Sequence, residues 1–319
     1  MLAVSKPKLN VLDLGFSWIK AKEGDKLFRQ PSITGTVKDV FEEDLKSDDF
    51  VFNGNLFVGN LALRHSDVKF FTLDSNKPEA MNSDVIMKTA IGHLAGNQPV
   101  NLVTGLPYKF YFSQKLSMEE KILSFNDDSA FTLKKGRNKP SELKIKINDI
   151  KVVPQGYGIA MDYTLDEQGK IANRLAASKR ILVIDLGFFT LNLLGLEKLE
   201  IMGESDSTLT GVNKAYRLIQ KQLMNTFGKT PELHLLDKYI ISGKYEGYDI
   251  RPIIDAAFQA LALQIMNDIN SLNIRFDYYL IGGGAADFIF KYLDLPNKVQ
   301  FNQLSQINGY NKIGVRKWK

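Results

Sequence analysis

The four residues Asp-Leu-Gly-Phe occur twice, at 13–16 and at 185–188, and this repeat limits what the chain can fold into more than any other feature. The first copy stands in LNVLDLGFSWIKA (Leu9–Ala21) and the second in RILVIDLGFFTLNLL (Arg180–Leu194). Each begins as a short, almost continuous apolar run with β-branched residues, as a strand buried on both faces does. Each run ends in Asp, passes Gly after one intervening residue, and re-enters an apolar segment. That pattern predicts a strand, a tight turn and a returning strand, with a carboxylate at the tip. Asp13 and Asp185 stand about half a chain apart, far too long a period for a solenoid. One Asp-Leu-Gly is an ordinary turn; two copies behind buried strands predict two related domains facing each other.

Composition sets outer bounds. A chain of 319 residues can bury two sizeable cores, and its 44% hydrophobic and 24% charged fractions are ordinary for a globular protein. No run of about 18 residues is free of charge, and the N-terminal MLAVSKPK has no apolar core of signal-peptide length, so a soluble cytoplasmic protein is expected. The absence of cysteine excludes disulfides, thiolate zinc sites and a cysteine nucleophile, and three histidines (His65, His93, His234) argue against a histidine metal cluster. A net charge of +5 and a pI near 9.0 permit contact with nucleic acid without demanding it. Much of the excess lies in KKGRNKPSELKIKINDIK (Lys134–Lys151) and in Arg316–Lys319. Neither has the aromatic interleaving of a single-strand platform, so a solvated face or loop is the reading adopted.

Along the chain, GDKLFRQPSITGTV and VFNGNLFVGNLALR predict short strands broken by Gly, Pro and Asn, with an exposed acidic segment Asp39–Asp49 between them. Ser83 is the expected N-cap of a helix that Gly96 stops. Val100–Thr104 predicts a buried strand, and Ser113–Ser124 a helix with a capping box at Ser117–Glu120. A strand over Ile150–Val153 leads to the turn Pro154–Gly158, then to a helix and link over Ile159–Ala177. After the second hairpin come a polar loop (Gly203–Gly211), a helix carrying Val212, Ala215, Ile219, Leu223 and Phe227 that stops at Gly228, and a helix over Ile253–Ile269 apolar on most sides. Asp277–Ile281 predicts a strand, Gly282-Gly283-Gly284 opens a helix over Ala285–Leu293, and the segment from Gln306 predicts a helix packed back on the first domain. Alternating strands and helices indicate an α/β architecture.

Two carboxylate-tipped hairpins followed by a glycine-rich strand-to-helix turn can aim backbone N–H groups at phosphate oxygens from opposite sides. Asp13 and Asp185 can hold a hydrated Mg²⁺, which takes few protein ligands. In this order and spacing the sequence resembles the actin, sugar-kinase and DnaK-type ATPase superfamily: LDLGFSWIKA is similar to its first phosphate motif, IDLGFFTLNLL to its second and LIGGGAADF to its adenosine motif. VTGLPYKFY (Val103–Tyr111), VVPQGYGIA (Val152–Ala160) and INGY (Ile307–Tyr310) resemble the ParM/StbA group of actin-like ATPases within it.

The resemblance implies a two-domain actin-like (ribonuclease H-like) fold: residues 1–177 completed by 306–319 as domain I, 178–305 as domain II, and ATP or GTP with Mg²⁺ in the cleft between them. It implies slow nucleotide hydrolysis coupled to filament assembly, and filaments that move or position plasmid DNA through a DNA-bound adaptor. Asp13 and Asp185 match the metal-associated acids, and Lys20 the lysine that reaches the phosphates. Gln155 matches the residue that orients the attacking water, a role a carboxamide fills by positioning and not by basicity. Gly15, Phe16, Ser17, Gly187, Phe188 and Thr190 fall on the phosphate motifs, and Gly282, Gly283 and Gly284 on the adenosine motif. Gly211, Lys214 and Arg217 are candidates for base and ribose, or for surface positions on an amphipathic helix.

The chain departs from the actin pattern at Phe16, where a small hydroxyl residue is usual, at Phe188 and Phe189 before Thr190, and at Asn192, where many ParM-like chains carry an acid. Two other functions share the fold. A small-molecule (sugar-type) kinase usually supplies a carboxylate base where Gln155 stands here. A membrane-associated actin relative needs an amphipathic anchor, and the C-terminal RKWK is too short to be one.

Overall fold

The computed structural model describes residues 6–71, 79 and 82–319; the first five residues of MLAVSKPK lie outside them. The chain forms an α/β protein of two compact units, Met1–Asn173 with Leu304–Lys319, and Arg174–Gln303. Arg174–Ala177 groups with the second unit, and Leu304 and Ser305 with the first, a few residues from the boundaries expected from sequence.

The first unit opens with β1 (Lys8–Leu14), β2 (Trp18–Glu23) and β3 (Lys26–Pro31). A smaller sheet then begins with β4 (Ile33–Thr36), β5 (Phe50–Phe52), β6 (Leu56–Val58), helix α1 (Asn60–His65) and β7 (Lys69–Phe71). It is followed by α2 (Ser83–Ala95), β8 (Val100–Leu106), α3 (Tyr108–Ser124), β9 (Phe131–Lys135), β10 (Ser141–Leu143), β11 (Ile147–Pro154) and α4 (Tyr157–Thr164). The main sheet runs β11-β8-β1-β2-β3, and the smaller antiparallel one β10-β9-β5-β6-β4-β7. β1 is central, with β8 parallel on one side and β2 antiparallel on the other. Its alternate residues therefore enter two cores: Leu12 and Leu14 pack with α2 residues Ile86, Ala90 and Leu94, whereas Val11 packs with Val103, Ile307 and Tyr310.

The second unit contains α5 (Arg174–Ala177), β12 (Arg180–Leu186), β13 (Leu191–Glu197), β14 (Glu200–Ile201), β15 (Asp206–Thr208) and α6 (Asn213–Phe227). It continues through α7 (Leu236–Ser242), a small hairpin of β16 (Lys244–Tyr245) and β17 (Tyr248–Asp249), and α8 (Arg251–Ser271). It ends with β18 (Tyr278–Gly283), α9 (Ala286–Ile289) and β19 (Lys298–Gln300). Its sheet order is β14-β13-β12-β18-β19. As in the first unit, the Asp-bearing strand is paired antiparallel with its hairpin partner and parallel with a later strand.

The last helix, α10 (Ser305–Trp318), packs within the first unit against α4 and β1. The approach of α4 and α10 is close because glycines meet: a Cβ on Gly309 would lie 1.7 Å from the carbonyl oxygen of Gly158. Lys312, buried on α10, closes this contact with an ion pair to Asp162 at 2.8 Å.

Several local expectations are corrected. Pro107, which has no N–H to give a ladder, ends β8, and α3 starts directly after it at Tyr108; Ser117–Glu120 is therefore mid-helix and not a capping box. Ser83 is the first helical residue of α2 and not its N-cap, and its buried hydroxyl has no hydrogen-bond partner among the described residues. The NLALR segment is helix α1. Asp49, at the end of the acidic segment, is buried and accepts a hydrogen bond from Arg64 at 2.6 Å. Within the helix and link expected over Ile159–Ala177, the helix ends at Thr164, whose hydroxyl donates to the Ala160 carbonyl. Helix α8 is one-sided, with Leu263 63% exposed. The polar loop Gly203–Gly211 contains β15, and the helix after the triple glycine is only α9, extended by a short 3-10 turn over Phe290–Tyr292.

Candidate functional site

The site residues fall into two groups, one in each unit, and the two groups repeat one geometry. In the first, Asp13 is the penultimate residue of β1 and lies directly across the ladder from Lys20 on β2. The side chains meet at 3.5 Å, Lys20 Nζ to Asp13 Oδ2, and both are largely buried. Gln155, at the turn after β11, donates from Nε2 to Asp13 Oδ1 at 3.1 Å. Its backbone N–H is fixed by the Leu106 carbonyl at 2.7 Å. The structure thus brings Asp13, Lys20 and Gln155 together from three strands of one sheet. An ionised carboxylate only accepts, so the Gln155 amide must present its NH₂ to Asp13, which leaves Oε1 aimed elsewhere as an acceptor.

The tip of this hairpin is Gly15-Phe16-Ser17. The Gly15 N–H donates to the Trp18 carbonyl at 3.1 Å, and the Ser32 hydroxyl donates to the Gly15 carbonyl at 2.7 Å. A Cβ on Gly15 would stand 2.5 Å from the Trp18 oxygen, so the close turn needs glycine there.

In the second unit Asp185 is the penultimate residue of β12 and lies directly across from Asn192 on β13. Asn192 donates from Nδ2 to Asp185 Oδ2 at 3.5 Å, and its Oδ1 accepts from the buried Ser207 hydroxyl at 2.8 Å. Asp185 is also beside Gly282 on the parallel neighbour β18. The tip Gly187-Phe188-Phe189-Thr190 closes as the first does, with the Gly187 N–H donating to the Thr190 carbonyl at 2.8 Å. By register Lys20 corresponds to Asn192 and Trp18 to Thr190.

Gly211 lies against this tip. A Cβ there would be 2.2 Å from the Phe188 oxygen, and the Val212 and Asn213 amides donate to the Gly187 and Phe188 carbonyls at 3.1 and 2.9 Å. Gly211 therefore has a packing role that also holds the start of α6 on the hairpin. Lys214 reaches the Thr210 hydroxyl at 3.3 Å, which also accepts from Gln264 at 3.2 Å. Arg217 is exposed on α6. Gly282 and Gly283 belong to β18, and Gly283 has φ +93°, where an added Cβ would stand 2.2 Å from the Leu186 carbonyl oxygen. A Cβ on Gly284, by contrast, would meet nothing within 4 Å.

Sequence reasoning missed Ser207, Thr210 and Gln303. The parallel ladders place Val152 against Thr104 and Leu12 in one unit, and Gln300 against Ile281 and Ile184 in the other. Gln155 and Gln303 each follow three residues later, just before α4 and α10, and so occupy matching positions. Gln303 donates to the Gly284 carbonyl at 3.5 Å instead of to a carboxylate. The signal in the sequence was a glutamine two residues before each helix, legible only once the strand registers are known.

The donor set suits a hydrated magnesium ion bound with a phosphate. Among the described residues no three acidic or histidine side chains converge on one point, so a metal at Asp13 or Asp185 would take one carboxylate and complete its shell with water or phosphate oxygen.

Residues 12–158 match the family description "actin like proteins N terminal domain", and residues 183–291 match "archaeal actin homologue MreB-like, C-terminal". The first match begins beside Asp13 and ends just past Gln155; the second spans Asp185 and the glycine turn. The chain belongs to the actin-like protein family. Solved structures agree with this fold. The chain is similar to a ParM from a 15-stranded filament of Clostridium botulinum (22% identity, TM-score 0.80, covering 98% of this chain and 100% of that one). It is also similar to the pCBH ParM, solved as a non-polymerisable quadruple mutant (23%, TM-score 0.79, 98% and 100%). An archaeal actin homologue in complex with ADP matches at 17% identity and TM-score 0.73, over 97% of this chain and 98% of that one. No curated protein matches the sequence. No helix of this actin-like protein, among the described residues, is long and apolar enough to cross a membrane.

Proposed function

We propose that this actin-like protein is a slow, nucleotide-dependent ATPase that assembles into filaments. ATP, or GTP, with Mg²⁺ binds between domain I (1–177 with 306–319) and domain II (178–305). The observation that carries the reading is the buried cluster Asp13–Lys20–Gln155, repeated in outline by Asp185–Asn192 in the other unit. Lys20 supplies a compact positive charge to the phosphates. Asp13 and Asp185 would hold the hydrated magnesium ion. Gln155, anchored on Asp13 by its NH₂, turns Oε1 toward the attacking water and accepts one of its protons' hydrogen bonds without removing the proton. The Gly187–Thr190 tip contacts the phosphates, Gly211 and Lys214 approach the ribose and base, and Gly284 leaves room for the nucleotide to lie close.

Positioning without a general base gives slow turnover, which suits a filament that must persist before it disassembles. Nucleotide state and assembly are coupled through domain closure. The ParM filaments among the structural relatives support the self-assembling part of this reading. Plasmid DNA is the proposed cargo, carried through a DNA-bound adaptor in the cytoplasm. The test is light scattering and electron microscopy of the purified protein with ATP, GTP, ADP and no nucleotide. The expected result is filaments with triphosphate that decay as it is consumed; no assembly in any condition, with transfer of phosphate to a sugar, overturns the proposal.

A further inference from the structure

The small sheet of the first unit carries an arrangement that the nucleotide site does not use. The segment leading into β5 bears Glu42, Glu43 and Asp44, all exposed in one 3-10 turn. The β9–β10 hairpin bears Lys134, half-buried, and Lys139, exposed. These two segments are neighbours. Lys134 lies across the ladder from Val51, the Gly136 N–H donates to the Asp49 carbonyl at 2.8 Å, and Arg137 donates to the Glu43 carbonyl at 3.0 Å. Yet the opposite charges are not spent on each other. Arg137 reaches a backbone oxygen, and none of Glu42, Glu43, Asp44, Lys134 or Lys139 forms an ion pair among the described residues.

The acidic turn is also anchored. Val40 and Leu45 on either side pack inward on the cluster of Ile33, Phe57, Leu61 and Ala62. Phe41 between them points out and is 78% exposed, as much as any large apolar side chain described. An aromatic residue held outward by a fixed turn and rimmed by charge has the make-up of an interface anchor, since aromatic side chains bury much area at low entropic cost.

We infer that this face is a self-complementary contact between two copies of the chain. A surface with a negative and a positive half side by side is matched by its own image under a two-fold rotation: the acidic turn of each copy faces the basic hairpin of the other, and the two Phe41 rings are buried within the contact. Such a contact is isologous and closes on a pair. It therefore goes beyond the proposed nucleotide-driven polymer, and it pairs molecules side to side whatever the nucleotide state. A polyanion on the basic half alone would leave the acidic turn and Phe41 without a role, which favours the second copy.

The test is sedimentation velocity of the full chain without nucleotide, across protein concentration and at about 50 and about 500 mM salt, which span long and short screening lengths. The expected result is a monomer–dimer equilibrium weakened roughly tenfold or more by high salt, by Lys134→Glu with Lys139→Glu, or by Glu42→Lys with Glu43→Lys, and weakened by Phe41→Ser at either salt. An equimolar mixture of the two charge-reversed proteins should dimerise again, because one now presents only positive and the other only negative halves. Apart from the half-buried Lys134 these positions are exposed, so thermal unfolding should be unchanged and serves as the control. A wild-type protein that stays monomeric at low salt, or a mixture that fails to re-form the dimer, overturns the proposal. So does a basic-reversed variant that dimerises normally but loses binding to a labelled DNA duplex. Failure of ATP-driven assembly, read separately by light scattering, would bear on the proposed function and leave this contact standing.

Discussion

The two hairpins share a backbone and differ in the residue placed opposite the acid. Both close with a glycine N–H donating three residues ahead, and both put an aspartate where the buried strand meets the turn. In the first, a lysine and a glutamine converge on that aspartate; in the second, an asparagine and, through it, a serine. One cluster carries the Lys20 ammonium and the Gln155 amide. The other is neutral apart from its acid and is buttressed by Gly211 and the start of α6. The same strand and turn thus form one frame, and single side chains at matching register distinguish its two copies: a lysine and a glutamine on one acid, an asparagine and a serine on the other.

That comparison can be broken experimentally. The largest expected effect is from Lys20→Ala, which removes the cation and leaves Asp13 buried with only Gln155. Nucleotide affinity should fall roughly a hundredfold, and the nucleotide-free protein should lose about 2–3 kcal/mol of stability in urea titrations. Asn192→Ala, at the matching position, should weaken nucleotide binding by less than about tenfold. Equal losses from the two would mean that the hairpins do not have different jobs.

Glycines give the next test. Gly283→Ala, at φ +93° and with its Cβ 2.2 Å from the Leu186 oxygen, should cost about 2 kcal/mol or more of stability. Gly284→Ala, in open space, should leave thermal unfolding within about 0.5 kcal/mol of the wild type; a loss of nucleotide affinity there would report the ligand's close approach directly. Gln155→Ala should slow hydrolysis in assembled protein roughly ten- to hundredfold, whereas Gln303→Ala, its positional counterpart, should leave the rate within about threefold. An unchanged rate in Gln155→Ala filaments removes that residue from the mechanism.

The smallest effect distinguishes the units by pH. His93 lies against Phe50 and Phe28 in the first unit, and burial, aided by Lys135 and Lys26, lowers its pKa from 6.5 to about 4. The folded state therefore holds it neutral while the unfolded chain binds a proton. Stability is full above about pH 6.5, falls as pH drops from there to about 4, and does not fall further on this account below that. Because the ring remains partly solvated, the loss should be about 1–2 kcal/mol. Urea midpoints of His93→Gln should lack this slope.

Much of this was legible in the sequence because the deciding signals were local. Continuous apolar runs ending in Asp-Leu-Gly named both hairpins, and Gly96 and Gly228 stop their helices with positive φ as expected. What was not legible depended on tertiary register. The convergence of Gln155 on Asp13 requires β8 to lie between their strands, and the equivalence of Lys20 with Asn192 appears only when both hairpins are aligned by their ladders. The exposed serine and glutamate of α3 imitate a cap because the capping pattern is short and polar, whereas Pro107 sets the true start. Asp49 was read as solvated because nothing local signals Arg64 from α1.

The central claim is that both carboxylates serve one magnesium–nucleotide. It is tested most directly by calorimetric titration of ATP into wild type, Asp13→Asn and Asp185→Asn, each with and without Mg²⁺. The account predicts that magnesium strengthens binding to the wild type and that either substitution alone removes most of that gain. An Asp13→Asn or Asp185→Asn protein whose magnesium dependence equals the wild type would contradict it.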